Sequence, residues 1–146
     1  MLETLGRLFR RQKKPEKLWR PGRGYTVEVV GESHYQRELH RITGGKTWNG
    51  HNLKCEAVLV VNEHGWNDEP AVQVEIKGLR VGYLPRAAVA EYLSAVDALD
   101  LRGERIGCAA KIVGGWERDY PEEVGGMDTG SFGVKLKMSW PPKLKS

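Results

Sequence analysis

The segment from Leu59 to Leu93 restricts the fold more than any other part of the chain, because short apolar stretches alternate in it with strong turn signals. Apolar and polar residues alternate in these stretches with the period of two that is typical of β-strands. The pair Lys77-Gly78 predicts a tight turn between two strands, and Pro85 is well placed to begin a helix. The pattern predicts strands at 53–61, 71–77 and 80–84, followed by a helix at about 86–97.

The rest of the chain repeats this pattern of short strands separated by turns. Strands are predicted at 25–29, 105–113 and 133–140, whereas residues 35–43 are ambiguous between a strand and a helix. Residues 114–130 are predicted to form a long polar loop. About six short strands with alternating hydrophobicity and one helix predict a mainly β fold, a small barrel of antiparallel strands.

Charge is unevenly distributed and divides the chain into a leader and a folded domain. Residues 1–24 contain eight lysines and arginines against two glutamates, so the net charge of +4 combines a leader of +6 with a remainder of −2. We predict a basic leader at 1–24, one folded domain at 25–140 and a short C-terminal tail at 141–146. Within the leader, residues 2–14 have the apolar spacing of an amphipathic helix. Three roles are open for it: a solvated flexible tail, a phosphate-contacting arm, or a helix on an anionic membrane surface.

Composition argues against several classes of protein. The sequence shows no apolar run long enough to span a membrane and no signal-peptide pattern, so we expect a cytoplasmic protein without stable membrane insertion. Cys55 and Cys108 lie in apolar strand-like segments, which favours buried free thiols over a disulfide. No spacing of Cys and His residues suggests zinc, and no cofactor is expected.

Three motifs resemble the HIRAN domain, the N-terminal module of fork-remodelling DNA helicases that also occurs as a small stand-alone bacterial protein. Residues 29–35 are similar to the opening strand, glycine and aromatic pair of that family, and residues 62–71 to its polar loop. Val81-Gly82-Tyr83-Leu84 resembles its Val-Gly-Tyr/His-Leu signature and is the most specific of the three. The resemblance covers roughly residues 25–140. It implies an OB-like or SH3-like barrel with a helix packed against it.

The resemblance also implies a non-catalytic module that binds single-stranded DNA, preferably at a free 3′ end. Aromatic side chains and a loop aspartate of that family converge on the DNA end, where the aspartate accepts a hydrogen bond from the terminal hydroxyl. Ser33 stands in this chain where the family has a phosphate-binding arginine, and Trp66 is expected to replace the displaced loop aromatic. Arg86 or the leader is expected to supply the missing charge. The candidate nucleic-acid-binding residues are His34, Tyr35, Trp66, Asn67, Asp68, Tyr83, Arg86 and Phe132.

Several of these residues have an equally open interpretation without a ligand. Asp68 fits a turn cap in its loop, and Tyr83 fits half-buried packing in a strand. His34 and Tyr35 would point to opposite faces if their segment were extended. Phe132, which lies close to two glycines, is expected either to be the most exposed ring of the set or to anchor its loop.

Two other functions compete with DNA binding. A protein–protein adaptor, a barrel that kept the fold and lost the DNA site, is indicated by Ser33 and by the acidic folded part. An aspartic hydrolase is suggested only by Asp128-Thr129-Gly130, whose glycine-rich surroundings favour a turn aspartate. No phosphate-binding loop and no nucleophile–base motif is found, so no enzymatic activity is expected. The expected partners are single-stranded DNA and a DNA-repair or replication protein.

Overall fold

The computed structural model describes residues 14–146, and within them nine strands and two helices form the mainly β fold that the sequence predicts. The ambiguous segment 35–43 is a helix, and the leader helix predicted over 2–14 lies outside the described residues except for residue 14. The helices are α1 (Gln36–Thr43) and α2 (Arg86–Ala98). The strands are β1 (Lys17–Leu18), β2 (Val27–Glu28), β3 (His51–Asn62), β4 (Ala71–Ile76), β5 (Leu79–Tyr83), β6 (Ile106–Gly114), β7 (Glu117–Asp119), β8 (Met127–Thr129) and β9 (Phe132–Lys137).

Seven of these strands form one curled sheet in the order β2-β9-β6-β3-β4-β5, with β1 added in parallel beside β6. The other pairings are antiparallel, and the sheet curls into half of a barrel, which confirms the predicted small antiparallel barrel. The β4–β5 hairpin turns at Lys77 and Gly78, whose φ angles of 50° and 79° are those of the two-residue turn that suits strand twist. β7 and β8 form a separate hairpin within the predicted loop at 114–130.

The two edges of the curled sheet meet at one bridge between Val30 and Tyr83. The Val30 amide donates to the Tyr83 carbonyl at 2.8 Å, and the Tyr83 amide donates to the Val30 carbonyl at 2.9 Å. Gly82 allows this approach, because a Cβ atom there would lie 2.4 Å from Val29 Cγ1 and 2.6 Å from the Val30 carbonyl oxygen. The Val-Gly-Tyr motif therefore holds the edges of the barrel together.

One hydrophobic core joins the sheet to both helices. Alternate residues of the central strands are buried, as their period of two predicts, and Leu39 of α1 and Tyr92 of α2 pack against them. The predicted core residues that are buried include Val72, Val74, Ile76, Val81, Leu84, Ile112, Val134 and Leu136. Leu93, also predicted to be in the core, is only partly buried.

The predicted boundaries of the folded domain are wrong at both ends. Trp19, assigned to the leader, is 1% exposed, and its indole nitrogen donates to the Tyr92 hydroxyl at 3.1 Å. Leu144, assigned to the tail, bridges Trp19, and the Lys145 amide donates to the Leu18 carbonyl at 2.8 Å. Because of these contacts, the segments at 17–19 and 144–145 belong to the fold. The charged residues that surround Trp19 along the chain gave no sign that it is a core residue.

The two cysteines are free, as predicted. Burial raises the pKa of the Cys55 thiol to about 11 and that of the Cys108 thiol to about 12. Both side chains are therefore protonated and unreactive near neutral pH. Within residues 14–146, no helix is long and apolar enough to cross a membrane.

Candidate nucleic-acid interface

A groove of about 800 Å³ opens beside the Val30–Tyr83 bridge, and all three motifs that carry the family resemblance contribute to its walls. Its volume falls within the range of roughly 300–1,000 Å³ that is usual for ligand sites. The lining residues from the three motifs include Val30, Gly31 and His34, then Asn62, His64, Trp66 and Glu69, and finally Tyr83 and Leu84. Arg86, Val89 and Leu93 of α2 complete the wall.

The loop at 62–71 has a compact backbone that depends on Gly65. Its amide donates to the Glu69 carbonyl at 2.8 Å, and a Cβ atom at this position would lie 2.7 Å from both that oxygen and Ala71 Cβ. Asn67 and Asp68 at the tip have left-handed backbone angles, with φ of 58° and 59°, which Asn and Asp adopt more readily than other non-glycine residues. This loop exposes the side chain of Trp66, the residue before Asn67, to solvent.

Trp66 and Arg86 together form an aromatic and cationic part of the groove wall. The Trp66 side chain is 73% exposed, and the Arg86 guanidinium carbon lies 5.3 Å from the centroid of its ring. An exposed ring beside a cation can stack on a base while the cation contacts a phosphate. The structure therefore brings these two predicted site residues together in the groove.

His34 and Tyr83 also line the groove, and Tyr35 lies next to Tyr83. Residues 32–34 form a 3₁₀ turn that leads into α1, so the extended segment that would separate His34 from Tyr35 does not occur. His34 and Tyr83 line the groove, and the Tyr35 hydroxyl lies behind them, 3.1 Å from that of Tyr83. Burial and the Tyr83 hydroxyl raise the pKa of Tyr35, which keeps its phenol neutral. This pair of hydroxyls can donate and accept hydrogen bonds.

Arg80 is a charged neighbour of the lining residue Tyr83 that the sequence reasoning missed, although it does not itself line the groove. Its Nη1 donates to the Tyr83 hydroxyl at 3.4 Å. Residues three apart on a regular strand point to opposite faces. A β-bulge alters this: Glu75 pairs with Arg80 and Gln73 with Tyr83, so Arg80 and Tyr83 lie on one face. A glycine inside a strand, Gly82, was the one signal of a bulge in the sequence.

Asp68 and Asn67 lie at the loop tip and are not among the lining residues. Asp68 Oδ1 is 2.8 Å from Nδ1 of His64, which does line the groove. Because a carboxylate only accepts hydrogen bonds, Nδ1 of His64 is the protonated nitrogen of this pair, and Nε2 accepts a hydrogen bond when it carries no proton. Asp68 therefore acts on the groove through His64, a residue that no sequence motif singled out.

The expectation that Phe132 has an exposed ring is wrong. Its side chain is 3% exposed and packs against His51, with 5.3 Å between the ring centroids. The Phe132 amide donates to Gln36 Oε1 at 2.8 Å, and Gln36 Nε2 donates to the Phe132 carbonyl at 3.0 Å. A Cβ atom on Gly115 would lie 2.1 Å from the ring, which explains the glycine there. Phe132 is a core residue that anchors its loop, outside the groove.

The Asp-Thr-Gly triplet begins on β8 and ends at Gly130, the residue after this strand. The Asp128 carboxylate is exposed and forms an ion pair with Arg118 at 3.2 Å. Within residues 14–146, no group of three or more His, Cys, Asp or Glu side chains is placed to hold a metal ion.

Comparisons with protein-family models, curated proteins and solved structures found no match to this chain. The resemblance to the HIRAN domain therefore stays a prediction, based on the three motifs. What the structure adds is that these motifs, distant in sequence, line one groove.

Proposed function

We propose that this chain is a non-catalytic module that binds single-stranded DNA, preferably at a free 3′ end, in the groove beside the Val30–Tyr83 bridge. The observation that carries the proposal is the exposed Trp66 ring with the Arg86 guanidinium 5.3 Å from its centroid, on the wall of that groove. Grooves for single strands combine rings that stack on bases with cations that follow the backbone. Tyr83, which also lines the groove, adds a second ring.

The charges around the groove support a polyanion as its ligand. Arg86 lines the groove, and Arg80, outside the set of lining residues, donates a hydrogen bond to the hydroxyl of the lining residue Tyr83. Of the described residues that line the groove, Glu69 is the one carboxylate.

Preference for a 3′ end follows in this proposal from the pair His64 and Asp68. A terminal 3′-hydroxyl donates to Nε2 of His64, whose tautomer Asp68 fixes through its hydrogen bond of 2.8 Å. A terminal phosphate would bring its negative charge close to Asp68 and Glu69, and like charges at an interface disfavour binding.

Fluorescence anisotropy with a labelled oligothymidylate tests this end preference. We expect tighter binding of the oligonucleotide with a free 3′-hydroxyl than of the same strand with a 3′-phosphate. Asp68→Ala should erase this preference while leaving the salt dependence nearly unchanged, because a hydroxyl contact releases no counterion. Asp128→Ala, which removes another exposed and ion-paired carboxylate, is the matched control and should keep the preference. Equal binding of both ends by the unmodified protein would remove the claim of end recognition.

Arg80 is expected to contact a phosphate of the bound strand. Arg80→Gln should weaken binding and lower the slope of log affinity against log salt by about 0.7, the value for one phosphate contact on a single strand. Anisotropy titrations at several salt concentrations measure this slope. Arg37→Gln, on the exposed surface of α1, is the control and should leave it unchanged. An unchanged slope for Arg80→Gln would mean that Arg80 touches no phosphate.

A protein–protein adaptor is a second candidate, favoured by exposed apolar residues around the β7–β8 hairpin. Trp48 is 51% exposed and stacks edge-on against Tyr120 at 5.2 Å between centroids, and Val124 and Met127 are also exposed. Exposed apolar groups that lie together often mark protein interfaces. Failure of every oligonucleotide to bind at low salt would favour this candidate over DNA binding.

A further inference from the structure

The solvent face of the central sheet carries three lysines directly opposite one another. Lys54 of β3 pairs with Lys111 of β6, and Lys111 pairs with Lys135 of β9. Side chains of directly paired residues project from the same face, and Ala110 and Ile112 beside Lys111 are buried on the other. Because neighbouring strands lie about 4.8 Å apart, the three lysines span about 10 Å of backbone.

Lys137 adds a fourth positive charge to this face, and the Tyr25 ring lies beside it. Lys137 lies two residues beyond Lys135 on β9 and therefore on the same face. The ammonium nitrogens of Lys111 and Lys137 lie 4.7 Å and 5.7 Å from the centroid of the Tyr25 ring. One aromatic ring thus holds two cations near fixed positions, which reduces the entropy that they lose when they bind an anion.

The arrangement costs stability unless an anion covers it, because like charges directly opposite one another destabilise a sheet. Two carboxylates offset part of the repulsion. Glu28 lies opposite Lys135, with 3.9 Å between Oε1 and Nζ, and Glu56 lies in the next row, opposite Ala109. These four lysines and two glutamates together carry a net positive charge.

The chain also enters the fold on this face. Leu18 pairs with Gly107, and a Cβ atom on Gly107 would lie 2.5 Å from Leu18 Cδ2 and 2.9 Å from Pro15 Cγ. The side chains of Pro15 and Leu18 therefore cover the solvent face of β6 at Gly107, four residues before Lys111. The sequence that precedes them is basic and includes Arg7, Arg10, Arg11 and Lys13.

We propose that Lys54, Lys111, Lys135 and Lys137 form a second nucleic-acid-binding surface, on which the phosphates of a single strand bind. Lysines on flexible stems are suitable donors to phosphates as point charges. Of the described residues, none of the large exposed apolar ones projects from this face of β3, β6 or β9, as a membrane-binding surface would require. The inference rests on the proposed function in that its ligand is nucleic acid, and it is independent of end recognition in the groove.

The test compares two triple variants that remove the same charge. Lys54, Lys111 and Lys135 are replaced by glutamine in one, and the exposed Lys46, Lys143 and Lys145 in the other. With a 20-nucleotide oligothymidylate, the first variant should lose about 2 from the salt slope, since three contacts contribute about 0.7 each. Its affinity at low salt should fall at least tenfold, and its 3′-end preference should persist. The second variant should bind like the unmodified protein.

Thermal unfolding separates lost binding from lost folding. The first variant should unfold at or above the temperature of the unmodified protein, because repulsion within the row is removed. Lys54→Gln alone, which leaves the Tyr25 contacts intact, should lower the slope by about 0.7. Equal losses for both triple variants, or an unchanged slope with end preference intact, would overturn this surface while leaving the groove in place. Displacement of the oligonucleotide by poly-glutamate at equal charge concentration would also overturn it, in favour of an acidic protein ligand.

Discussion

Replacement of Trp19 by alanine is expected to destabilise the domain by about 3–5 kcal/mol, the range for removing a buried tryptophan from a core. The Trp19 side chain is 1% exposed and meets the Tyr92 ring edge-on at 5.5 Å between centroids. The substitution leaves a cavity between β1 and α2. It also removes the hydrogen bond of 3.1 Å that the Trp19 indole donates to the Tyr92 hydroxyl. Urea unfolding followed by circular dichroism measures the loss.

Trp48→Ala is the matched control for Trp19→Ala. Trp48 is 51% exposed, and its main aromatic contact is Tyr120, so the same chemical change should cost only about 0.5–1.5 kcal/mol. A truncation that begins after residue 23 removes Trp19 and should unfold the domain, whereas one that begins at Lys14 keeps it. Equal losses for the two tryptophan variants would contradict a core role for Trp19.

The elements that the sequence predicts well are those with a long repeating pattern. The predicted strand at 71–77 and helix at 86–97 agree with β4 and α2 to within one residue at each end, because period and turn residues mark both. β1, β7 and β8 are two or three residues long, too short to show a period. Their existence depends on partners that the local sequence does not reveal.

Trp19 shows the same limit for the core. One apolar residue among charges gives no amphipathic pattern, and its partner Tyr92 lies 73 residues further along the chain. The burial of Phe132 likewise depends on Gly115 and Gln36, which are distant or unremarkable in sequence. Contacts of this kind become visible only once the chain is folded.

In the candidate site, the sequence motifs predicted several residues that line the groove but did not predict the charged residue Arg80 beside it. His34, Trp66, Tyr83 and Arg86 line the groove as a set that the sequence predicted. Arg80 could not be assigned, because its position beside Tyr83 depends on a bulge that interrupts regular alternation. A single extra residue in β5 thus changes which side chains share a face.

Replacement of Trp66 by alanine is expected to weaken binding of single-stranded DNA by about 1–3 kcal/mol, which is the usual loss when a ring that stacks on one base is removed. This corresponds to a rise of roughly 5- to 150-fold in Kd at 25 °C. Because the Trp66 side chain is 73% exposed, the free energy of unfolding should change little. Anisotropy titrations and urea unfolding on the same preparation separate the two effects.

Trp66→Phe and Trp48→Ala make this prediction specific to stacking in the groove. Phenylalanine keeps a ring and should recover part of the affinity, whereas Trp48→Ala removes an exposed ring near the β7–β8 hairpin and should leave binding unchanged. Equal weakening by Trp66→Ala and Trp48→Ala would indicate unspecific contact with exposed rings. Unchanged binding by Trp66→Ala would show that no base stacks on this ring. The affinity would then come from phosphate contacts, either of the groove arginines or of the second surface formed by Lys54, Lys111, Lys135 and Lys137.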